Sequence, residues 1–477
     1  MKRFWLVLLS LGLIMAFSAS AFAVDVKFSG EYDVGGLYLN KIGVDDGFNG
    51  SSGLKGSANP DTAFYYQRLR IGTDFIVAPS LKLVTQFDAM DRIWGGARGG
   101  NFPVGASDNT GGTGGTREES ENFVMNLAYV EYISPIGLFR VGYQKDWCWG
   151  TVWGDRSNGM PAGQILYMVP VGPFTIAANY AKEASNRASA VTTGVNTTDQ
   201  DFDSYRIAAV YGLGKKIEAG GLVMLNRNAV YKNVPLTMTG DGYLVDLWYL
   251  IPYFKAQLGP VALQGELAWG FGNVKMENGL TGMDQTIDTL SVFLDATANL
   301  GMVYVGGSFA YVSGQDPNQT SKIQTGLGNT GGLDWNPCLI LFNTELDYWA
   351  GDIGGHSGSV VNGEMANAWF FQGRVGVKPT PQLDTVLSIS YAMADQKSVY
   401  NPAYATSPTG YEATTGGSYG WEVDLTGTYK ITNNLSYMLG AGYLFTGDYF
   451  KGVTTNYLGG PKTVDDFIII NKLTLSF

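Results

Sequence analysis

Asp466-Phe467-Ile468-Ile469-Ile470-Asn471-Lys472-Leu473-Thr474-Leu475-Ser476-Phe477 closes the chain. In an extended conformation Phe467, Ile469, Leu473, Leu475 and Phe477 share one face, and Ile468, Ile470, Lys472, Thr474 and Ser476 share the other. Such a strand presents an unpaired edge unless the sheet closes against it, and closure into a barrel removes that edge. Its expected partner is a segment near the start, where Val26, Phe28, Tyr32, Val34 and Tyr38 oppose Lys27, Ser29, Glu31 and Asp33. Apolar and aromatic groups on one side with ionisable groups on the other is the pattern of a barrel wet inside and apolar outside. The sequence therefore predicts an all-β fold, a transmembrane antiparallel β-barrel.

The one long apolar run has a different meaning. Lys2 and Arg3 precede Phe4 to Phe17, and Ala19-Ser20-Ala21-Phe22-Ala23 ends in a small-x-small pattern, so residues 1–23 read as a signal peptide cut after Ala23. Its apolar core falls short of the roughly 20 residues a spanning helix needs. Residues 24–477 read as a single barrel domain without linkers. The whole chain has 31 basic and 42 acidic residues, a net charge of −11; loss of Lys2 and Arg3 makes this −13. An acidic chain lacks the basic footprint of a nucleic-acid binder. Gly 65, Tyr 28 and Trp 11, with a mean hydropathy near zero, suit tight turns, aromatic girdles and a polar lumen.

Short and long connections alternate. Pro, Gly or Asn punctuates tight turns at Ala78-Pro79-Ser80, Ser134-Pro135-Ile136-Gly137, Pro170-Val171-Gly172-Pro173, Gly212-Leu213-Gly214-Lys215, Leu258-Gly259-Pro260, Asn299-Leu300-Gly301, Lys378-Pro379-Thr380-Pro381 and Thr432-Asn433-Asn434. Longer polar stretches lie between them, so the count points to about 18 strands with short periplasmic turns and long extracellular loops. Segments starting near Ala63, Leu81, Leu138 and Gly420 alternate with period two. Their polar faces put Arg68, Arg70, Lys82, Arg92 and Arg140, joined by Arg206 and Arg374, in a pore-lining basic wall. Glu218, Glu266, Asp384, Glu422 and Asp424 are expected on other parts of the lining, and walls of opposite sign set up a transverse field that favours charged over apolar solutes.

Two connections carry apolar islands. Lys145 to Arg156 holds Trp147, Trp149 and Trp153, rings that are unfavourable in water and must fold onto something. Within loop 145–162, one reading tucks them into the barrel as a constriction with Asp146, Asp155 and Arg156; the other adds them to the outer aromatic girdle. Loop 314–364 carries Trp335-Asn336-Pro337-Cys338-Leu339-Ile340-Leu341-Phe342 and reads as a lid or second constriction. Cys148 and Cys338, the two cysteines, sit one in each loop and are candidates for a disulfide in an oxidising compartment, free thiols buried in the two apolar loops being the alternative. The lone histidine, His356, has no nucleophile context, so no catalytic site is expected. No spaced ligand loop calls for a metal, and no motif calls for a cofactor.

With the leader, the hairpin grammar, Arg140-Val141-Gly142-Tyr143-Gln144 leading into Trp149-Gly150-Thr151, and the terminal Phe477, the chain resembles the bacterial outer-membrane porins. It is more similar to the larger substrate-channel and alginate-export barrels than to compact sixteen-strand trimers. The resemblance implies residence in the outer membrane of a Gram-negative bacterium, contact with its lipid, and passage of small hydrophilic solutes or ions. It also implies that Phe477 serves as a signal to the barrel-assembly machinery, and it leaves a homotrimer open. A dedicated polysaccharide conduit and a non-conducting structural or adhesive barrel are the alternatives.

Overall fold

The structure, a computed structural model, describes residues 24–44, 59–95, 123–146, 148–155, 161–185, 200–213, 216–232, 242–276, 284–325, 332–351, 353, 361–397, 416–450 and 463–477. The expected signal peptide, Trp147, Arg156 and His356 lie outside the described residues. The strands are β1 (Asp25–Leu39), β2 (Thr62–Ala78), β3 (Leu81–Ile93), β4 (Val124–Ser134), β5 (Gly137–Gln144), β6 (Ala162–Val171), β7 (Phe174–Ser185), β8 (Asp201–Leu213), β9 (Ile217–Asn228) and β10 (Tyr243–Leu258). They continue as β11 (Val261–Met276), β12 (Gln285–Leu300), β13 (Val303–Val312), β14 (Lys322–Ile323), β15 (Ala368–Thr380), β16 (Leu383–Ala394), β17 (Ser418–Lys430), β18 (Leu435–Thr446) and β19 (Asp466–Ser476), with one short helix, α1 (Thr344–Ala350), between β14 and β15.

Each long strand pairs antiparallel with its neighbours, and β19 pairs with β1 from Glu31 opposite Ser476 to Leu39 opposite Ile468. The seam is finished by Gly30 N–H donating to the Phe477 carbonyl at 2.8 Å and Phe477 N–H donating to the Gly30 carbonyl at 3.0 Å. The two-residue β14 lies parallel against β12 outside this cycle, so the wall has the 18 strands that the turn-and-loop alternation predicts. Among the described residues each of the 18 wall strands pairs with a neighbour on both sides, so the ring closes without a free edge strand. Gly172, Gly259 and Gly301 take φ of +59°, +61° and +80° in tight turns, a region that a side chain resists.

The outer surface shows why this closed wall belongs in lipid. Phe28, Tyr143, Ile207, Leu425 and Leu439 are 68, 61, 66, 52 and 53 % exposed, each at an alternate position of a different strand. A soluble barrel would have its apolar residues inside; here they form the exterior. The barrel is built for a bilayer. At about 3.3 Å per residue, sixteen-residue strands such as β10, β11 and β12 reach well past a hydrocarbon core of about 30 Å.

Candidate functional site in the barrel interior

The interior is partly filled by the two apolar islands, and each is held by a carboxylate of the wall. Residues 148–155 fold back on themselves, with Cys148 bridged to Asp155 and Trp149 N–H donating to the Gly154 carbonyl at 3.0 Å. The turn wraps the Glu266 carboxylate of β11. Oε2 accepts from Thr151 N–H, from the Thr151 hydroxyl at 2.7 Å and from Val152 N–H at 2.8 Å, while Oε1 accepts from Gly154 N–H at 2.6 Å. Gly150, at φ +70°, is required by this approach: a Cβ there would lie 2.6 Å from Glu266 Oε2.

A fault in the wall supplies the next anchor. Pro252 has no N–H to give, and the β10–β11 register is interrupted at Ile251 and Pro252. The Ile251 carbonyl instead accepts the Trp149 indole N–H at 2.9 Å, and Trp149 stands edge-on to Tyr253 at 5.0 Å. Asp146, just before the turn, meets Arg206 of β8 at 2.7 Å, and Arg206 also meets Glu183 of β7 at 2.5 Å. Trp149 and Trp153 thus lie inside the barrel; Trp153 is fully buried and lies edge-on to Trp335 of the second island at 5.7 Å.

That second island is held in the same way. Glu422 of β17 accepts Ile340 N–H and Leu341 N–H, one on each oxygen, both at 2.7 Å. Asn343 then caps α1, its Oδ1 accepting Leu346 N–H at 2.9 Å while its Nδ2 donates to the Cys338 carbonyl at 2.9 Å. From α1, Trp349 stacks on Tyr66 of β2 at 4.3 Å, Glu345 pairs with Lys472 of β19 at 2.9 Å, and the Tyr348 hydroxyl donates to Asp91 of β3. The helix is therefore moored to the seam between the first and last strands.

The expected basic wall takes a different form. Arg68 lies under the Tyr348 ring, its guanidinium carbon 5.9 Å from the centroid. Arg70 makes a two-pronged pair with Asp88 at 2.7 and 2.8 Å; Lys82 meets Asp74 at 3.1 Å and Glu131 at 3.3 Å; Arg140 meets Glu131 at 2.7 Å; Arg374 meets Asp295 at 2.7 Å. Cations and carboxylates interleave on neighbouring strands instead of occupying opposite walls. Asp74 and Asp88 fall on the polar faces read from the sequence, while Glu131, Glu183 and Asp295 are partners that reading passed over.

Three expectations need correction. Arg92 does not share the face of Lys82 and Asp88: Met90, at φ +55°, forms a bulge opposite Arg68, and beyond it Arg92 stands opposite Gln67 on the outward face. Glu422 and Asp424 face inward but are 0 and 3 % exposed, covered by the second island instead of open to a lumen. Cys148 and Cys338 are both free thiols, Cys148 exposed and Cys338 buried, so the disulfide is absent from the structure.

Beside the first island remains a cavity of about 680 Å³, lined by Arg140, Lys145 and Lys255, by the amides Gln144, Gln164 and Asn179, and by Tyr129, Trp149 and Tyr253. Asp155 and the Cys148 thiol also open onto it. Lys145 forms no ion pair among the described residues, and Lys255 only approaches Glu218, at 3.8 Å.

No protein-family model matches the chain, and no curated protein matches its sequence. Among solved structures it is similar to OccK2 (OpdF) of Pseudomonas aeruginosa, determined in complex with glucuronate, at 11 % identity and a TM-score of 0.48 over 95 % of this chain and 98 % of that one. OccK5 (OpdH) of the same organism gives 11 % identity and a TM-score of 0.47 over 94 and 98 %. An anion-selective porin from Comamonas acidovorans gives 12 % and 0.42 over 95 and 99 %. The assignment as a membrane barrel rests on the strand closure and apolar exterior described above.

Proposed function

We propose that this protein is a porin of the outer membrane of a Gram-negative bacterium, a passive channel in which small hydrophilic solutes or ions cross a charged lumen narrowed by two inward-folded segments. One observation carries the reading: a wall apolar outside encloses an interior of paired charges, amides and ring edges around an open cavity. A polar solute entering it exchanges its water for Gln144, Gln164 and Asn179, with Lys145 and Lys255 the cations least neutralised by partners. The rate is then set by radius and lining charge, with no chemical step.

The test is electrical. Purified protein in a planar bilayer is expected to give steady ohmic steps, and shortening residues 333–343 is expected to enlarge them. An electrically silent but folded barrel would refute the channel and favour a structural or adhesive role. Current blocked by one polysaccharide and by no small solute would refute general diffusion in favour of a polymer conduit.

A further inference from the structure

Beneath the second island, Cys338 meets Glu422 and Asp424 of β17. The thiol sulfur and one oxygen from each carboxylate lie within 4.8 Å of one another, and the three residues are 4, 0 and 3 % exposed. Two adjacent buried carboxylates repel unless a positive charge is shared between them. Among the described residues no lysine or arginine forms an ion pair with either one. Glu422 at least has the Ile340 and Leu341 N–H groups. Asp424 is worse placed: both its oxygens are sealed from solvent, and although the Glu422 carboxyl, the Leu339 N–H and the Ser388 hydroxyl approach, none makes a hydrogen bond of ordinary geometry. The site is also tightly cradled, since a Cβ on Gly442 would meet Asp424 Oδ1 at 2.5 Å and the Leu339 side chain at 3.1 Å.

We propose that Cys338, Glu422 and Asp424 form a binding site for a divalent transition metal, with zinc the best fit. A sulfur with two carboxylate oxygens suits zinc's acceptance of both donor types, whereas calcium and magnesium ask for oxygen alone. Zinc distances of about 2.3 Å to sulfur and about 2.0 Å to oxygen in a tetrahedral arrangement require the donors to close by about 1.3–1.5 Å from their widest permitted separation. That movement is within reach of side-chain rotation in Cys338, which belongs to a loop and not to the wall. The supporting contacts already exist: the two N–H groups orient Glu422, and the Ser390 hydroxyl neighbours the sulfur. The Zn–S bond would replace the S–H bond, so binding zinc releases the thiol proton. The ion would tie the loop to the wall through the cysteine that the sequence reading expected to pair with Cys148.

The experiment uses full-length barrel extracted in detergent, its folding followed by heat-modifiable electrophoretic mobility. Elemental analysis after dialysis against zinc and then a weak chelator is expected to find about one zinc per chain. Cobalt in its place is expected to give a thiolate charge-transfer band. Asp424→Asn and Cys338→Ala should bind at least about tenfold more weakly, and Cys148→Ala should bind as wild type. Should a variant misfold, the wild type decides alone: zinc should raise the temperature at which the heat-modifiable band shifts, and EDTA should reverse that rise. A folded wild type that retains no zinc, gives no cobalt–thiolate band and shows no such rise overturns the proposal and leaves a shared proton on the carboxylate pair. Undiminished zinc binding by folded Cys338→Ala would also overturn it.

Discussion

Replacing Glu266 by glutamine tests whether one wall carboxylate holds the first inward segment. The carboxylate accepts three backbone N–H groups and one hydroxyl from residues 151–154. An amide of the same size keeps one acceptor. Its better orientation puts oxygen where Oε2 lies and turns NH2 toward Gly154 N–H, leaving that donor unmatched. Charge-assisted hydrogen bonds contribute about 1.5–3 kcal/mol and neutral ones about 0.5–1.5, so three weakened bonds and one stranded donor amount to about 4–6 kcal/mol. Removing a buried charge offsets part of this, and a net change of about 2–4 kcal/mol lowers the docked-to-undocked ratio roughly thirty- to several-hundredfold. Trp149 on Ile251 and Asp146 on Arg206 still hold the segment's start, so the expected phenotype is excursion of residues 150–154. Single-channel records should show larger or noisier current steps, and acrylamide should quench tryptophan emission more strongly. Glu218→Gln, which removes a carboxylate bonded to the Tyr253 hydroxyl and to no loop backbone, is the control. Wild-type noise, conductance and quenching in a folded Glu266→Gln barrel would refute the reasoning.

Three further outcomes are expected. Lys145→Glu combined with Lys255→Glu should move the reversal potential in a salt gradient toward cation preference, because these are the cavity's least compensated cations; an unmoved potential would place the conducting path elsewhere. Arg206→Met removes the buried guanidinium that pairs with both Asp146 and Glu183 and should destabilise the barrel by about 3–5 kcal/mol, read as a lower urea midpoint. Cys148 opens onto the cavity, yet the atoms packed around its sulfur, and then the Asp155 carboxylate, push its thiol up to about 11. Since only the thiolate reacts, modification by a methanethiosulfonate should be slow at neutral pH and accelerate through the alkaline range; a rate flat with pH would contradict that environment.

The wall was readable from the sequence because its rule is local. Alternation about Tyr65, Leu69 and Ile71 depends on neighbours two positions away, and Pro79, Gly172 and Gly259 mark the turns by their own backbone preferences. What failed to read is non-local or breaks the period. Nothing near Met90 announces its bulge, and that one extra residue turned Arg92 to the opposite face. The tryptophan count in 147–153 required burial but not a direction; the direction comes from Glu266 and the freed Ile251 carbonyl, more than a hundred residues onward. Pro252 inside a strand was the available clue. Asn343 before Thr344 was the corresponding signal for α1, a cap without a long enough apolar repeat to stand out. Glu422 and Asp424 read as lining because their parity is inward, and parity alone cannot reveal that another segment covers them.

Glu266 and Glu422 both lie C-terminal to the segments they capture. Residues 148–155 gain their carboxylate anchor only with β11, and residues 338–341 gain theirs only with β17. On the proposed channel reading, a barrel lacking either strand would leak more widely than the finished molecule, and both restrictions on the interior depend on carboxylates from the second half of the chain.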